Sequence, residues 1–289
     1  MILLDQNTRG IVQGVTGRVG SVQTKWMVEY GSSLVAGVTP GKGGQTVHGL
    51  PVYDTVQETV ERHGANASVI FVPAPAAKAA VQMALEVGLK LVVVITEHVP
   101  VHDSLAMKRM AQEHGAWLLG PNCPGLLTPS VGKLGIMPGN LFRPGPVGVV
   151  GRSATLTYEV AGNLSAAGLG QSTAVGVGGD MVTGSRFLDV LRLFEADPQT
   201  EAVALVGEIG GTAEEEAARF IKEMTKPVVA LIAGRNAPVE KKLGHAGAII
   251  RGGQGTPQSK VAALAAAGVA VADSPAEVAR LVRERLRRD

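Results

Sequence analysis

Apolar and polar positions along this chain alternate between two rhythms. Short, almost fully apolar runs are followed by longer segments in which small or apolar residues return every three or four positions. Runs at 10–15, 33–38, 68–72, 89–96 and 116–119 read as strands. The segments at 19–30, 55–63, 76–87 and 104–114 carry the helical period. Strands without alternation are buried on both faces, so the order strand–helix–strand predicts a parallel sheet covered by helices. A stretch rich in Gly and Pro then runs from Gly120 to Pro146. Such punctuation marks a domain boundary, which places one domain at 1–122 and a second at 123–289. In the second, strands at 147–150, 172–177, 202–206 and 227–233 are interleaved with helices at 156–167, 185–195, 213–224, 259–267 and 275–287. The fold class expected is α/β throughout, with a Rossmann-like first domain.

Composition narrows the function. The 289 residues are 45% hydrophobic and 18% charged, which suits folded domains, and the net charge of +2 gives no electrostatic footprint for nucleic acid. A single cysteine, Cys123, allows no internal disulfide and fits a reducing compartment. No apolar run is long enough to span a membrane, and residues 1–10 look like neither a signal nor a transit peptide. A cytoplasmic protein with no membrane partner is expected.

Candidate chemistry begins at Gly14-Val15-Thr16-Gly17-Arg18-Val19-Gly20, a glycine-rich turn between a strand and a helix. Glycines there permit a tight bend and let a pyrophosphate approach the N–H groups of the helix start. An NAD enzyme would place an acid after the second strand; this chain has Thr39-Pro40-Gly41-Lys42-Gly43-Gly44. A lysine suits a phosphorylated ribose, so NADP or coenzyme A is favoured over NAD. The run is not a P-loop, because no hydroxyl residue follows Lys42. Ile95-Thr96-Glu97 ends an apolar strand, where open α/β sheets bind ligands.

Three strand-to-helix turns of the second domain are candidates to share one site: Gly151-Arg152-Ser153-Ala154-Thr155, Gly207-Glu208-Ile209-Gly210-Gly211, and the segment around His245. His245 stands among small residues, in Lys241-Lys242-Leu243-Gly244-His245-Ala246-Gly247. Glycines let bulky ligands come close, and an imidazole is a nucleophile near neutral pH. Glu208 at a strand mouth can accept a hydrogen bond from one ring nitrogen and leave the other free to attack. Glu214, Glu215 and Glu216 read as a first-turn acidic cluster complementing a helix dipole.

Together these motifs resemble the α subunits of succinyl-CoA synthetase (succinate–CoA ligase) over essentially the whole chain. The likeness also takes in Val72-Pro73-Ala74-Pro75, Gly120-Pro121-Asn122-Cys123-Pro124-Gly125 and Leu156-Thr157-Tyr158-Glu159. It implies a Rossmann-like CoA-binding domain followed by a flavodoxin-like ligase domain. It further implies that His245 is phosphorylated during turnover and that Glu208 orients it. Thr16, Gly17, Arg18, Val19, Lys42, Ile95, Thr96 and Glu97 would contact CoA. Tyr158, Pro124 and Ser153 would lie on the acid and phosphate side; no resident metal is implied. The reaction implied joins succinate to CoA at the expense of ATP or GTP, through succinyl phosphate and a phosphohistidine. The nucleotide and its Mg²⁺ would belong to an ATP-grasp β subunit, in an αβ or α₂β₂ assembly, in keeping with the missing ATP motif here. One departure is Gly151-Arg152-Ser153-Ala154-Thr155, where the family pattern is Ser-Arg-Ser-Gly-Thr.

Three alternatives remain at this point. A related ligase for malate or another acid fits the same residues. A CoA-binding regulatory module would use the first domain alone. A serine hydrolase would combine Ser153, Asp180 or Asp189, and His245 in the order of α/β-hydrolases, but lacks the second glycine of GxSxG.

Overall fold

The computed structural model describes residues 1–234, 245–250 and 255–287. Lys241 to Gly244 and Arg251 to Gln254, on which part of the histidine-segment reading falls, lie outside the described residues. The chain forms two compact units, one made of Leu3–Met137 with Val182–Ser185, the other of Met1–Ile2, Pro138–Met181 and Arg186–Asp289. The Gly/Pro-rich stretch that begins at Gly120 thus stays with the first unit as far as Met137.

The first unit runs β1 (Gly10–Gln13), α1 (Arg18–Glu29), β2 (Leu34–Val38), β3 (Thr46–Val47), β4 (Leu50–Tyr53), α2 (Val56–His63) and β5 (Ala67–Ile70). It continues through α3 (Ala74–Glu86), β6 (Leu91–Val94), α4 (Val101–Glu113), β7 (Trp117–Leu119), β8 (Gly125–Thr128) and β9 (Gly132–Gly135). Its sheet has the order β3-β4-β2-β1-β5-β6-β7, parallel except for the β3–β4 pair. Setting β3 aside, this is the doubly wound order of dinucleotide-binding folds, which reverses direction between β1 and β5. Strands β1, β5 and β6 are buried throughout. Against them α3 sets Ala77, Ala80, Val81, Ala84 and Leu85, small enough on one face for the helix to lie close to the sheet. Thr55 and Glu58 close a capping box on α2, and Gly64 ends it in the left-handed region at φ 62°.

The short strands β3 and β4 and the antiparallel hairpin β8–β9 are additions to the sequence expectation. The hairpin is made of residues read as punctuation. A Cβ on Gly125 would lie 2.0 Å from the Leu134 carbonyl oxygen, and one on Gly135 2.4 Å from that of Pro124. These glycines serve close strand approach, not a flexible linker.

The second unit comprises β10 (Pro144–Gly151), α5 (Ala154–Ala166), β11 (Gln171–Gly176), α6 (Phe187–Ala196), β12 (Ala202–Glu208) and α7 (Ala213–Ile221). It ends with β13 (Val228–Ala233), α8 (Pro257–Ala265), β14 (Ala270–Ala272) and α9 (Pro275–Leu286). Its parallel strands run in the order β14-β13-β12-β10-β11. That is the flavodoxin-like order 2-1-3-4-5, whose switch point falls between β10 and β12. Gly148 in β10 has no Cβ because Phe194 of α6 lies there; an added Cβ would sit 2.7 Å from its ring. Phe187 and Phe194 are fully buried by that packing.

Candidate functional site

In the first unit, the glycine turn leaves β1 and enters α1. Gly14 takes φ 80° and donates its N–H to the Val38 carbonyl at 2.8 Å. A Cβ on Gly20 would lie 2.1 Å from the Gly14 carbonyl oxygen, so only glycine lets the helix start this close to the turn. The N-cap is Gly17, with no side chain capping the end. Gly17, Arg18 and Val19 are exposed, so the first-turn N–H groups are open to a ligand.

The lysine turn joins this end. Thr16 and Thr39 hydroxyls lie 3.2 Å apart, tying the start of α1 to the end of β2. Asp54 Oδ1 accepts the N–H groups of Lys42 at 3.0 Å and Gly43 at 2.9 Å. The Gly43 hydrogen bond, ahead of those from Gly41 and Lys42, holds the Asp54 carboxyl below the usual range. Lys42 is itself exposed. Thr96 follows β6, donating its hydroxyl to the Val72 carbonyl at 2.7 Å, with Ile95 half-buried and Glu97 exposed. The predicted CoA residues therefore gather at the C-terminal ends of β2, β1 and β6, where a doubly wound sheet takes its ligand.

In the second unit, loops after β10, β11 and β12 converge on His245. Its Nδ1 lies 2.8 Å from Glu208 Oε2. A carboxylate only accepts, so Nδ1 carries the proton and Nε2 is left with its lone pair. The other Glu208 oxygen, Oε1, is 3.2 Å from Arg152 Nε, and both side chains are 8% exposed against 28% for His245. The Glu208 hydrogen bond raises the imidazole pKa above its ordinary value. Burial opposes this, the charges of Glu208 and Asp180 add to it, and Arg152 works against it.

The segment is fastened by backbone. Gly247 donates to the Gly179 carbonyl at 3.0 Å, Ala248 to that of His245 at 3.0 Å, and Gly210 to that of Gly255 at 2.8 Å. A Cβ on Gly179 would lie 2.4 Å from the His245 ring, and one on Gly247 2.3 Å from the Arg152 guanidinium. Arg152 was not among the sequence candidates. It read as one member of a turn, and only the fold brings it beside Glu208.

Ser153 is the N-cap of α5; its Oγ accepts the Leu156 N–H at 3.4 Å. Tyr158 lies further along α5 with its hydroxyl buried. Gly151 is accounted for by Thr157, whose Oγ1 would lie 2.0 Å from an added Cβ, and Ala154 is the first residue of α5. Pro124 is buried in the first unit and its carbonyl accepts the Ile136 N–H at 2.9 Å. Asp189 accepts the Arg186 N–H at 2.8 Å at the start of α6. Glu208, and neither Asp180 nor Asp189, is the carboxylate on His245 Nδ1, so the orienting acid of the hydrolase arrangement is not in place, although the Asp180 charge does act on the ring.

Glu214, Glu215 and Glu216 do form the acidic first turn of α7, but Glu214 has a second role there. Glu214 is fully buried and pairs with the equally buried Lys260 of α8. Sequence spacing puts acids in a first turn but cannot foresee a lysine arriving from another helix. Among the described residues no group of three or more His, Cys, Asp or Glu side chains is arranged to hold a metal, and no helix is long and apolar enough to cross a membrane.

A doubly wound unit with an open helix start, followed by a flavodoxin-like unit with a carboxylate-bound histidine, defines a class of CoA ligases. Known proteins agree: residues 5–98 match the CoA binding domain family and residues 150–270 the CoA-ligase family. The chain is 58% identical to succinate–CoA ligase [ADP-forming] subunit alpha 2 of Archaeoglobus fulgidus, over 98% of this chain and 99% of that protein. It is 56% identical to the corresponding α subunit of Methanothermobacter thermautotrophicus, over 99% and 97%. Among solved structures, Methanosaeta concilii ATP citrate lyase in complex with (3S)-citryl-CoA superposes with a TM-score of 0.90 at 28% identity. That match covers 99% of this chain and 51% of the lyase chain, so this chain spans about half its length. The chain belongs to the family of succinate–CoA ligase α subunits.

Proposed function

We propose that this chain is the α subunit of an NDP-forming succinate–CoA ligase, an acid–thiol ligase active with a β subunit. The observation that carries the reading is the Nδ1 contact of His245 with the buried Glu208 carboxylate, 2.8 Å long. It leaves Nε2 as the nucleophile and stabilises the positive charge the ring gains when that nitrogen is phosphorylated.

In the direction that makes nucleoside triphosphate, phosphate attacks the thioester carbon of succinyl-CoA, the C–S bond breaks and CoA leaves as its thiol. The product is succinyl phosphate. His245 Nε2 attacks its phosphorus, the P–O bond to the acyl group breaks and succinate leaves. The phosphoryl group then passes from nitrogen to the terminal oxygen of a nucleoside diphosphate; acyl-CoA synthesis is the reverse. Thr16, Gly17, Arg18, Val19, Lys42, Ile95, Thr96 and Glu97 serve CoA in this reading. Tyr158, Pro124 and Ser153 serve the acid and phosphate. The domain limits 1–122 and 123–289, an ATP-grasp β subunit holding nucleotide and Mg²⁺, an αβ or α₂β₂ assembly and a cytoplasmic setting complete it.

The test is co-expression with the β partner and assay against a panel of acids and of ATP and GTP. Succinate-dependent CoA thioester formation with the pair, and none with either chain alone, supports the reading. Turnover by this chain alone overturns the two-subunit form, and a preference for malate moves the reading to the sister ligase.

A further inference from the structure

Glu214 and Lys260 stand 46 residues apart, and both side chains are 0% exposed. A pair taken this far from water is often no better for stability than apolar side chains of the same volume. Its other contacts show what the pair holds. Lys260 Nζ reaches Glu214 Oε2, Glu215 Oε2 at 2.9 Å and the Gly211 carbonyl at 3.0 Å. Those three acceptors use all three ammonium protons. The free oxygen of Glu214, Oε1, accepts the backbone N–H of Glu208 at 3.0 Å in a buried setting.

The loop from Glu208 to Gly211 is thereby gripped at its first N–H and its last carbonyl by a single ion pair. Gly207 leaves room for this, since an added Cβ would lie 2.7 Å from Glu214 Cγ and 2.9 Å from its Oε1. Between the two grips, Gly210 at φ 89° packs on the histidine segment, where an added Cβ would lie 2.4 Å from the Ile249 nitrogen. We infer that the Glu214–Lys260 pair is a positioning device. It fixes the backbone of Glu208, and so the direction of the carboxylate that sets the tautomer of His245. The consequence for turnover rests on His245 being the phosphoryl acceptor; the geometric claim stands apart from it.

Two double variants of the full chain isolate the effect. Glu214→Met with Lys260→Met removes the charges and the acceptor for the Glu208 N–H. Glu214→Gln with Lys260→Met removes the charges but keeps an acceptor oxygen. Nitrogen-15 NMR of the His245 ring across pH reads the tautomer and titration midpoint, and labelling with the β subunit reads phosphorylation. In the Met/Met chain the protonated-Nδ1 preference should be lost, the midpoint should fall toward the ordinary histidine value, and labelling should slow about 10–100-fold. The Gln/Met chain should recover the tautomer, the midpoint and most of the rate. Wild-type ring behaviour in a folded Met/Met chain, or equal loss in both variants, would overturn the inference. Should neither variant fold, hydrogen exchange of the wild-type Glu208 amide decides: protection like that of the β12 core supports the grip, and exchange as fast as an exposed loop amide refutes it. Absence of label on wild-type His245 would remove the phosphohistidine reading while leaving the NMR comparison as the test of positioning.

Discussion

The turn after β1 and the segment around His245 both lie at the C-terminal ends of parallel strands, beside a reversal in strand order, yet they are made of opposite materials. The first is backbone: Gly14, Gly17 and Gly20 shape an open helix end, and the cation nearby, Lys42, is exposed. The second is side chain: Arg152 and Glu208 are buried around a half-buried imidazole. Holding an anionic ligand requires N–H groups in the right conformation, which glycine supplies without burying any charge. A histidine that carries a phosphoryl group needs one defined tautomer and a fixed counter-charge, and those come only from side chains held out of water. On the proposed function, binding and chemistry are separated by what each demands of the chain.

His245→Asn should break the comparison most completely. With the β subunit it should abolish acyl-CoA synthesis, because no other nucleophile replaces the ring. CoA affinity measured by calorimetry should be unchanged, since the glycine turn belongs to the other compact unit. Loss of CoA binding in a folded His245→Asn chain would show that the two functions are not separable.

Glu208→Gln comes next, with labelling slowed about 10–100-fold, the scale found when a partner that orients a metal-bound imidazole is removed. The sign of the pH effect follows from the raised His245 pKa. Only the neutral ring attacks, so the wild-type labelling rate should climb with pH and level off above a midpoint higher than that of an ordinary histidine. In Glu208→Gln the midpoint should move down. For stability, a raised folded-state value means that the protonated ring's contribution is complete below the unfolded histidine pKa. It is lost as pH rises through the folded value. Denaturant unfolding of wild type and His245→Asn should therefore converge toward high pH, and a gap that widens instead would contradict the assignment.

How much of this was legible in the sequence differs between the two regions for the same physical reason. Conformational demands leave a local mark, and the glycine turn, the Lys42 turn and the apolar strands were all readable from neighbours in the chain. The β8–β9 hairpin was not, because Gly125 and Gly135 are required by an approach across the hairpin and look locally like a linker. β14, three residues long, is too short for any period to show. Charges paired through the fold leave no local mark either. The sequence shows Glu214 as a first-turn acid and Lys260 as one residue of a helix, and nothing local joins them as α7 and α8 do. Arg152 was passed over on the same ground, whereas Glu208 was found from its place at a strand mouth and His245 from the small residues around it.

Two smaller effects sharpen the binding side. Gly20→Ala places a Cβ 2.1 Å from the Gly14 carbonyl oxygen. Relief of that clash should cost about 1–3 kcal/mol of stability, weaken CoA binding and leave the His245 ring titration untouched. Normal CoA affinity in this variant would mean that the turn is not the ligand's seat. Lys42→Ala should weaken CoA by about 1.5 kcal/mol, roughly tenfold, at the low end for a charge-assisted contact because the lysine is exposed. Dephospho-CoA should bind both chains alike, and equal weakening of both ligands would remove the 3′-phosphate role.

The account turns on where the phosphoryl group resides. With the β subunit, Mg²⁺ and nucleoside triphosphate labelled at its terminal phosphate, the label should appear once per chain, stable in base and labile in acid as a P–N bond requires. Peptide mapping by mass spectrometry under alkaline conditions should place it on His245. A label on Ser153, or full labelling of the His245→Asn chain, would contradict the account.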